Sequence, residues 1–271
     1  MSKQIALSTT GTTVVTQQVN AKSLNLRSEP LVKPSTLIEK LPFGHSVDVV
    51  GPSTRTGWVV VATDLNGVSL TGHVSATYLR DPLSAKVEAA LDIAAYEWER
   101  FERGAGKETQ APYFRYVGEY WAALGLAYDG RDTSKPWSAA FISFLFREAG
   151  YTGMTFAAAH ARYINEAIVA RQAGDTSRDF HGYRLTERVP QIGDLIARRR
   201  TSATYIDYDY AATHNAFKSH TDMVVAVGAG YVDAVGGNLS NSVNVVRYRT
   251  GPSGYLDSQN GKLFAVLQNR R

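Results

Sequence analysis

The chain has 271 residues, 44% of them apolar, no cysteine and a formal net charge of +4. That is enough apolar material for one large domain, or a small domain beside a medium one, and it excludes disorder as the default. The missing cysteine removes disulfides, thiolate metal ligands and a cysteine nucleophile, and the positive charge is too scattered for a nucleic-acid surface, since Arg198-Arg199-Arg200 and Arg270-Arg271 are its tight clusters and neither sits among spaced aromatics.

No apolar run approaches about eighteen residues, and no basic-then-hydrophobic leader follows Met1. Neither a membrane span nor a standard export signal is therefore expected, and synthesis in the cytoplasm is.

From residue 13 to residue 80 the pattern is of short alternating strands broken by turns, clearest at Val47-Asp48-Val49-Val50, Trp58-Val59-Val60-Val61 and Gly72-His73-Val74. A small all-β barrel is the natural closure, with a first domain over 13–82 and a second over 83–271. After Asp81-Pro82, residues 83–103 carry apolar positions at Val87, Ala90, Leu91, Ile93, Ala94 and Trp98, the spacing of an amphipathic helix stopped by Gly104. A second helical piece spans 113–124. The apolar run after Pro136-Trp137-Ser138 predicts a helix closed by Gly150, and 160–173 predicts another. Strands are expected from Gly193-Asp194-Leu195-Ile196-Ala197 onward, at 222–226, 231–235, 242–248 and 263–266, with glycine turns between them. Helices first and an antiparallel sheet afterwards make an α+β domain.

Ser138 opens its helix behind the aromatic shoulder of Trp137. A side chain there lies beside unpaired backbone N–H groups and the positive end of the helix dipole, which favour a nucleophile and an oxyanion; capping is the simpler role for a serine. His220 begins a strand and suits a general base for the Ser138 proton, on the face the helix should cover. Asp233 or Asn238 would orient it from the next strand and its loop. Asp222 stands two residues after His220 and shares its side of the strand, where it could orient an imidazole or a substrate amine. His160 either hydrogen-bonds Ser138, receives a substrate carbonyl or caps its own helix, and Asp194 reads as a turn carboxylate. His160, His214, His220 and Asp222 have no zinc-like spacing, so neither a metal nor a cofactor is implied. The polar-aromatic stretch Thr201 to Phe217 reads as a lid or a partner-binding loop.

The segments Leu24-Asn25-Leu26-Arg27-Ser28-Glu29-Pro30, Leu41-Pro42-Phe43-Gly44, Gly57-Trp58-Val59-Val60-Val61 and Gly72-His73-Val74-Ser75-Ala76-Thr77-Tyr78-Leu79 resemble a bacterial SH3-like domain. The resemblance implies a groove for peptidoglycan stems or cross-bridges, which Arg27, Trp58 and Tyr78 could line; for the two aromatics a place in the barrel core is the alternative. The segments Tyr116-Val117-Gly118-Glu119-Tyr120-Trp121, Pro136-Trp137-Ser138-Ala139-Ala140-Phe141, Ala159-His160-Ala161-Arg162-Tyr163, Ser219-His220-Thr221-Asp222 and Gly236-Gly237-Asn238 resemble the bacterial domain of unknown function 2272, a relative of the papain-like NlpC-type and CHAP amidases. That likeness covers about residues 84–269. It implies a helices-on-antiparallel-sheet domain with Ser138, His220 and Asp233 or Asn238 as the catalytic set, serine standing where the wider superfamily has cysteine. The expected function is a peptidoglycan hydrolase acting on a stem-peptide or cross-bridge amide. The alternative is a catalytically silent wall-binding or phage structural protein. Action in the periplasm or cell wall would require a secretion machine or phage lysis, with peptidoglycan, an immunity protein or a secretion component as partners.

Overall fold

The computed structural model describes residues 14–21, 23–200 and 203–271. Thr13 and Lys22 of the expected first domain and Thr201 and Ser202 of the expected insertion lie outside them. Contacts divide the chain into one unit ending at Leu83 and another beginning at Ser84.

The first unit is strand-rich: β1 (Val15–Val19), β2 (Ser23–Arg27), β3 (Leu37–Pro42), β4 (Ser46–Pro52), β5 (Trp58–Leu65), β6 (Val68–Ser75) and the short β7 (Leu79–Arg80). They form one antiparallel sheet in the order β3-β2-β6-β5-β4-β1-β7. Among the described residues no ladder joins β3 to β7, so the sheet is open where a closed barrel was expected. Alternation explains its single apolar face. Leu24 and Leu26 of β2 turn inward, alternating with Ser23 and Asn25, and meet Val19, Leu41, Val47, Val61 and Val74. The β5–β6 hairpin turns at Asn66-Gly67, both at positive φ, with Leu65 opposite Val68. This is the two-residue connection that matches strand twist.

The second unit carries α1 (Ala85–Arg100), α2 (Tyr113–Ala122), α3 (Ser138–Glu148) and α4 (His160–Ala173), then β8 (Phe180–Tyr183), β9 (Leu195–Arg199), α5 (Tyr208–Thr213), β10 (Ser219–Gly228), β11 (Tyr231–Gly236), β12 (Asn244–Arg249) and β13 (Leu263–Asn269). Ser84 starts α1 by accepting from Val87 N at 3.3 Å, and Val87, Ala90, Leu91 and Ala94 form its buried stripe. α4 ends at Gly174, whose φ of 66° supplies the left-handed cap that frees Asp175 N to reach Ala170 O at 2.8 Å. Among the described residues no helix is long and apolar enough to cross a membrane.

The second sheet runs β12-β11-β10-β9-β13-β8, antiparallel at each recorded pairing. Ile196, Val224, Val232, Ala234, Tyr248, Leu263 and Val266 build the core on one face. α3 and α4 pack against β10, and α4 also meets β8 and β13. β13 is buried at each residue from Leu263 through Leu267, so both faces of this strand are covered.

β8 and α5 are additions to the sequence expectation. α5 lies inside the stretch expected to form a lid or loop, and it is pinned: Asn165 Nδ2 donates to Ala211 O at 2.9 Å, and Tyr208 Oη donates to Gly182 O at 2.9 Å.

Candidate active site

The N-terminal turn of α3 places the candidate nucleophile. Trp137 precedes it with no side-chain cap, so the first N–H groups of the helix are left without intrahelical acceptors. Trp137 is itself fixed: its indole Nε1 donates to Glu108 Oε2 at 2.5 Å, and its ring stacks on Phe101 at 5.9 Å between centroids. Ser138, only 2% exposed, borders a cavity of about 450 Å³ also lined by Ala139, His160, Arg200, Phe217, Lys218 and Ser219.

Ser138 Oγ lies 2.7 Å from His160 Nε2. His160 begins α4, where its helix-capping role is absent, since Ala159 is the cap residue. Its Nδ1 meets Thr221 Oγ1 at 2.9 Å and the Tyr163 hydroxyl, and the two hydroxyls are 3.0 Å apart. With the imidazole proton on Nδ1, Nε2 accepts from Ser138 and Nδ1 donates to Thr221. Burial holds the His160 imidazole well below the ordinary histidine range, with His220, Arg200 and Arg198 adding repulsion. It is neutral at pH 7 and able to take a proton.

His220 was expected on the face covered by the catalytic helix. Alternation along β10 sets His220 on the same side of the strand as Asp222 and opposite Thr221, which bonds His160 of α4. His220 Nε2 bonds Asp222 Oδ1 at 2.7 Å, and its ring centroid is 5.0 Å from that of His160. Asp222 also accepts from Tyr248 Oη at 2.5 Å and faces Arg198 Nε at 3.4 Å. Burial opposes its ionisation, but His220, Arg198 and Tyr248 outweigh this, and the carboxyl stays below its usual range.

The partner of His220 is thus Asp222. Asp233 is held instead by Arg247, at 2.7 and 2.8 Å, on the outer β11–β12 pair. Asn238 sits in the following turn at a φ of 57°. The two glycines before it explain that motif: a Cβ on Gly236 would stand 1.9 Å from Asp222 Oδ1, and one on Gly237 would stand 2.6 Å from Phe141 Cβ. Asp194 is a buried turn carboxylate that accepts from Gln191 N, Asn269 N and Arg188. His214 stacks on Tyr210 at 3.9 Å, in α5. Among the described residues no three His, Asp or Glu side chains converge as a metal site.

In the first unit Arg27, Trp58 and Tyr78 line one cavity of about 560 Å³, together with Asn25 and Arg55. Trp58 and Tyr78 stand outside the apolar core, and Tyr78 is 49% exposed. Arg27 is buried, donating from Nη1 to Lys33 O at 2.7 Å and Thr36 Oγ1 at 3.1 Å.

Residues 93–270 match the family described as an uncharacterized protein conserved in bacteria, DUF2272. The chain belongs to the DUF2272 family. Ser138, His160 and His220 all fall inside the DUF2272 match. No curated protein matches the chain. Among solved structures it is similar to NlpC1 from Trichomonas vaginalis, at 13% identity and a TM-score of 0.30 over 94% of this chain and 70% of that one. It is also similar to NlpC2 from the same organism, at 13% identity and a TM-score of 0.28 over 93% and 71%. Likeness at these scores decides neither fold nor activity.

Sequence reasoning missed Thr221, Tyr163, Arg198, Tyr248, Arg200, Lys218 and Ser219. For Thr221 the signal was present, because period-two alternation opposes it to its neighbour His220.

Proposed function

We propose that this chain is a peptidoglycan hydrolase that cleaves a stem-peptide or cross-bridge amide through Ser138. The observation that carries the reading is the 2.7 Å contact of Ser138 Oγ with His160 Nε2, at an uncapped helix N-terminus beside a cavity. In the proposed reaction Ser138 Oγ bonds to the amide carbonyl carbon while its proton passes to His160 Nε2. The N–H groups at the start of α3 receive the oxyanion. Collapse breaks the C–N bond, and His160 returns the proton to the leaving amine. Water, deprotonated by the same imidazole, then releases the acyl group. His220 and Asp222, hydrogen-bonded to each other, brace the strand that carries Thr221.

The likeness of the sequence to papain-like amidases supports the bond type, and the SH3-like pattern supports wall binding through the Arg27–Trp58–Tyr78 cavity. Delivery by a contact-dependent secretion machine, with an immunity protein in the producer, or release during phage lysis fits the reading. The competing reading is a catalytically silent wall-binding protein. It is favoured by the hydroxyls of Thr221 and Tyr163 behind His160, where a carboxylate would make a stronger base.

Incubating purified peptidoglycan with the wild type and with Ser138→Ala, followed by mass spectrometry of soluble fragments, separates the two. New termini released only by the wild type are expected. Equal absence of products, with both proteins still pelleting with the wall, would leave binding as the function.

A further inference from the structure

Two cations face the Ser138 cavity without an acid to balance them. Arg200 and Lys218 are neighbours across the end of the β9–β10 ladder, with Arg200 N donating to Lys218 O at 3.3 Å. Both side chains are exposed, and both line the same cavity as Ser138 and His160. No aspartate or glutamate is among the described lining residues. Neither cation has a recorded ion pair among the described residues, and none of the residues outside the description is acidic. Several other arginines of the unit are matched, Arg171 to Glu187, Arg184 to Asp209, Arg188 to Asp194, Arg198 to Asp222 and Arg247 to Asp233, whereas others such as Arg162 and Arg249 also have no recorded ion pair among the described residues. Between Lys218 and His220, Ser219 adds a buried hydroxyl that has no partner among the described residues.

We infer that the Ser138 cleft takes an acyl donor carrying a free carboxylate close to the scissile carbonyl, and that Arg200 and Lys218 hold that carboxylate. The inference rests on the serine-nucleophile reading above and adds the substrate class. An anion there would be attracted by two unneutralised charges beside low-dielectric walls, which focus the field. It would also offset the repulsion that Arg200 exerts on a protonated His160. The bound substrate would thereby strengthen the base that serves it. A neutral acyl donor forgoes both effects.

The test uses two small esters of similar size, 4-nitrophenyl hemisuccinate and 4-nitrophenyl butyrate. In either case Ser138 Oγ bonds to the acyl carbon, the bond to the phenolic oxygen breaks, the serine proton goes to His160, and 4-nitrophenolate leaves and is read by its colour. Acyl adducts are located by mass spectrometry. The wild type is expected to react with the hemisuccinate faster by about tenfold or more in second-order rate constant. That ratio should shrink in 1 M salt and fall to one or below in Arg200→Glu/Lys218→Glu, whose substitutions are at exposed positions and whose folding is checked by thermal unfolding. Adducts on Ser138 with a ratio near one, unmoved by the double substitution, overturn the carboxylate inference and leave the nucleophile standing. No adduct on Ser138 from either ester overturns the nucleophile, and the substrate class falls with it.

Discussion

His160 Nδ1 lies 2.9 Å from Thr221 Oγ1, so the group behind the candidate base is a neutral hydroxyl on the strand that also carries His220. A hydroxyl can orient an imidazole but stabilises its protonated form less than a carboxylate does. Thr221→Val keeps the shape and removes the hydroxyl. It is expected to slow acylation of Ser138 by about tenfold, the cost of roughly one hydrogen bond, with little change in substrate binding. Single-turnover kinetics that split rate from affinity check this, and an effect confined to affinity would count against a positioning role.

Acid should weaken the protein through His160. Its folded-state affinity for protons is below that of the unfolded chain, so the unfolded state binds more protons as pH falls. The contribution is therefore complete above about pH 6.5, the ordinary histidine value, and is lost as pH falls below it. The depressed Asp222 acts in the same direction lower down, present above the ordinary aspartate range and lost beneath it. Urea midpoints across pH 4–8 should fall on the acid side, and His160→Gln should flatten the decline between pH 6.5 and 5. The acid limb of the acylation rate should lie well below pH 6.5.

Gly236→Ala places a methyl 1.9 Å from Asp222 Oδ1 and 3.3 Å from His220 Nε2. Either β11 or the pair must move, at about 1–3 kcal/mol for an overpacked site. Gly251→Ala is the control, because its nearest neighbour would be Tyr255 O at 3.9 Å. Thermal unfolding should separate the two variants by several degrees.

Asp222→Asn removes the charge shared by His220, Arg198 and Tyr248 at a fully buried position. Breaking such a cluster from one side is expected to cost about 3–5 kcal/mol. Chemical denaturation measures it. A loss below about 1 kcal/mol would mean that the pair is solvated in the native state.

The sequence made some elements plain because their cause is local. α4 is bounded as its periodicity indicates, and β11 follows from alternating apolar residues after a glycine turn. β8 was hidden, being four residues with a glycine inside; Gly182 belongs there because Ile168 of α4 packs where its Cβ would be, 2.5 Å from Cγ1. α5 was hidden because six residues give too few positions to show a period, although Asp207 caps it by accepting from Tyr210 N at 2.8 Å. At the site, Ser138 and His160 were both visible as polar groups at helix starts. Their pairing was one of three open readings of His160, and the choice among them depends on how α3 and α4 meet the end of β10. Asp233 looked as suitable as Asp222 until the register set it opposite Arg247.

The most direct test of the account is covalent modification of Ser138 by diisopropyl fluorophosphate, located by peptide mass spectrometry in the wild type, His160→Gln and His220→Gln. The account predicts an adduct on Ser138 in the wild type that is lost in His160→Gln and kept in His220→Gln. An adduct that survives in His160→Gln but disappears in His220→Gln, or no adduct on Ser138 in the wild type, would contradict it.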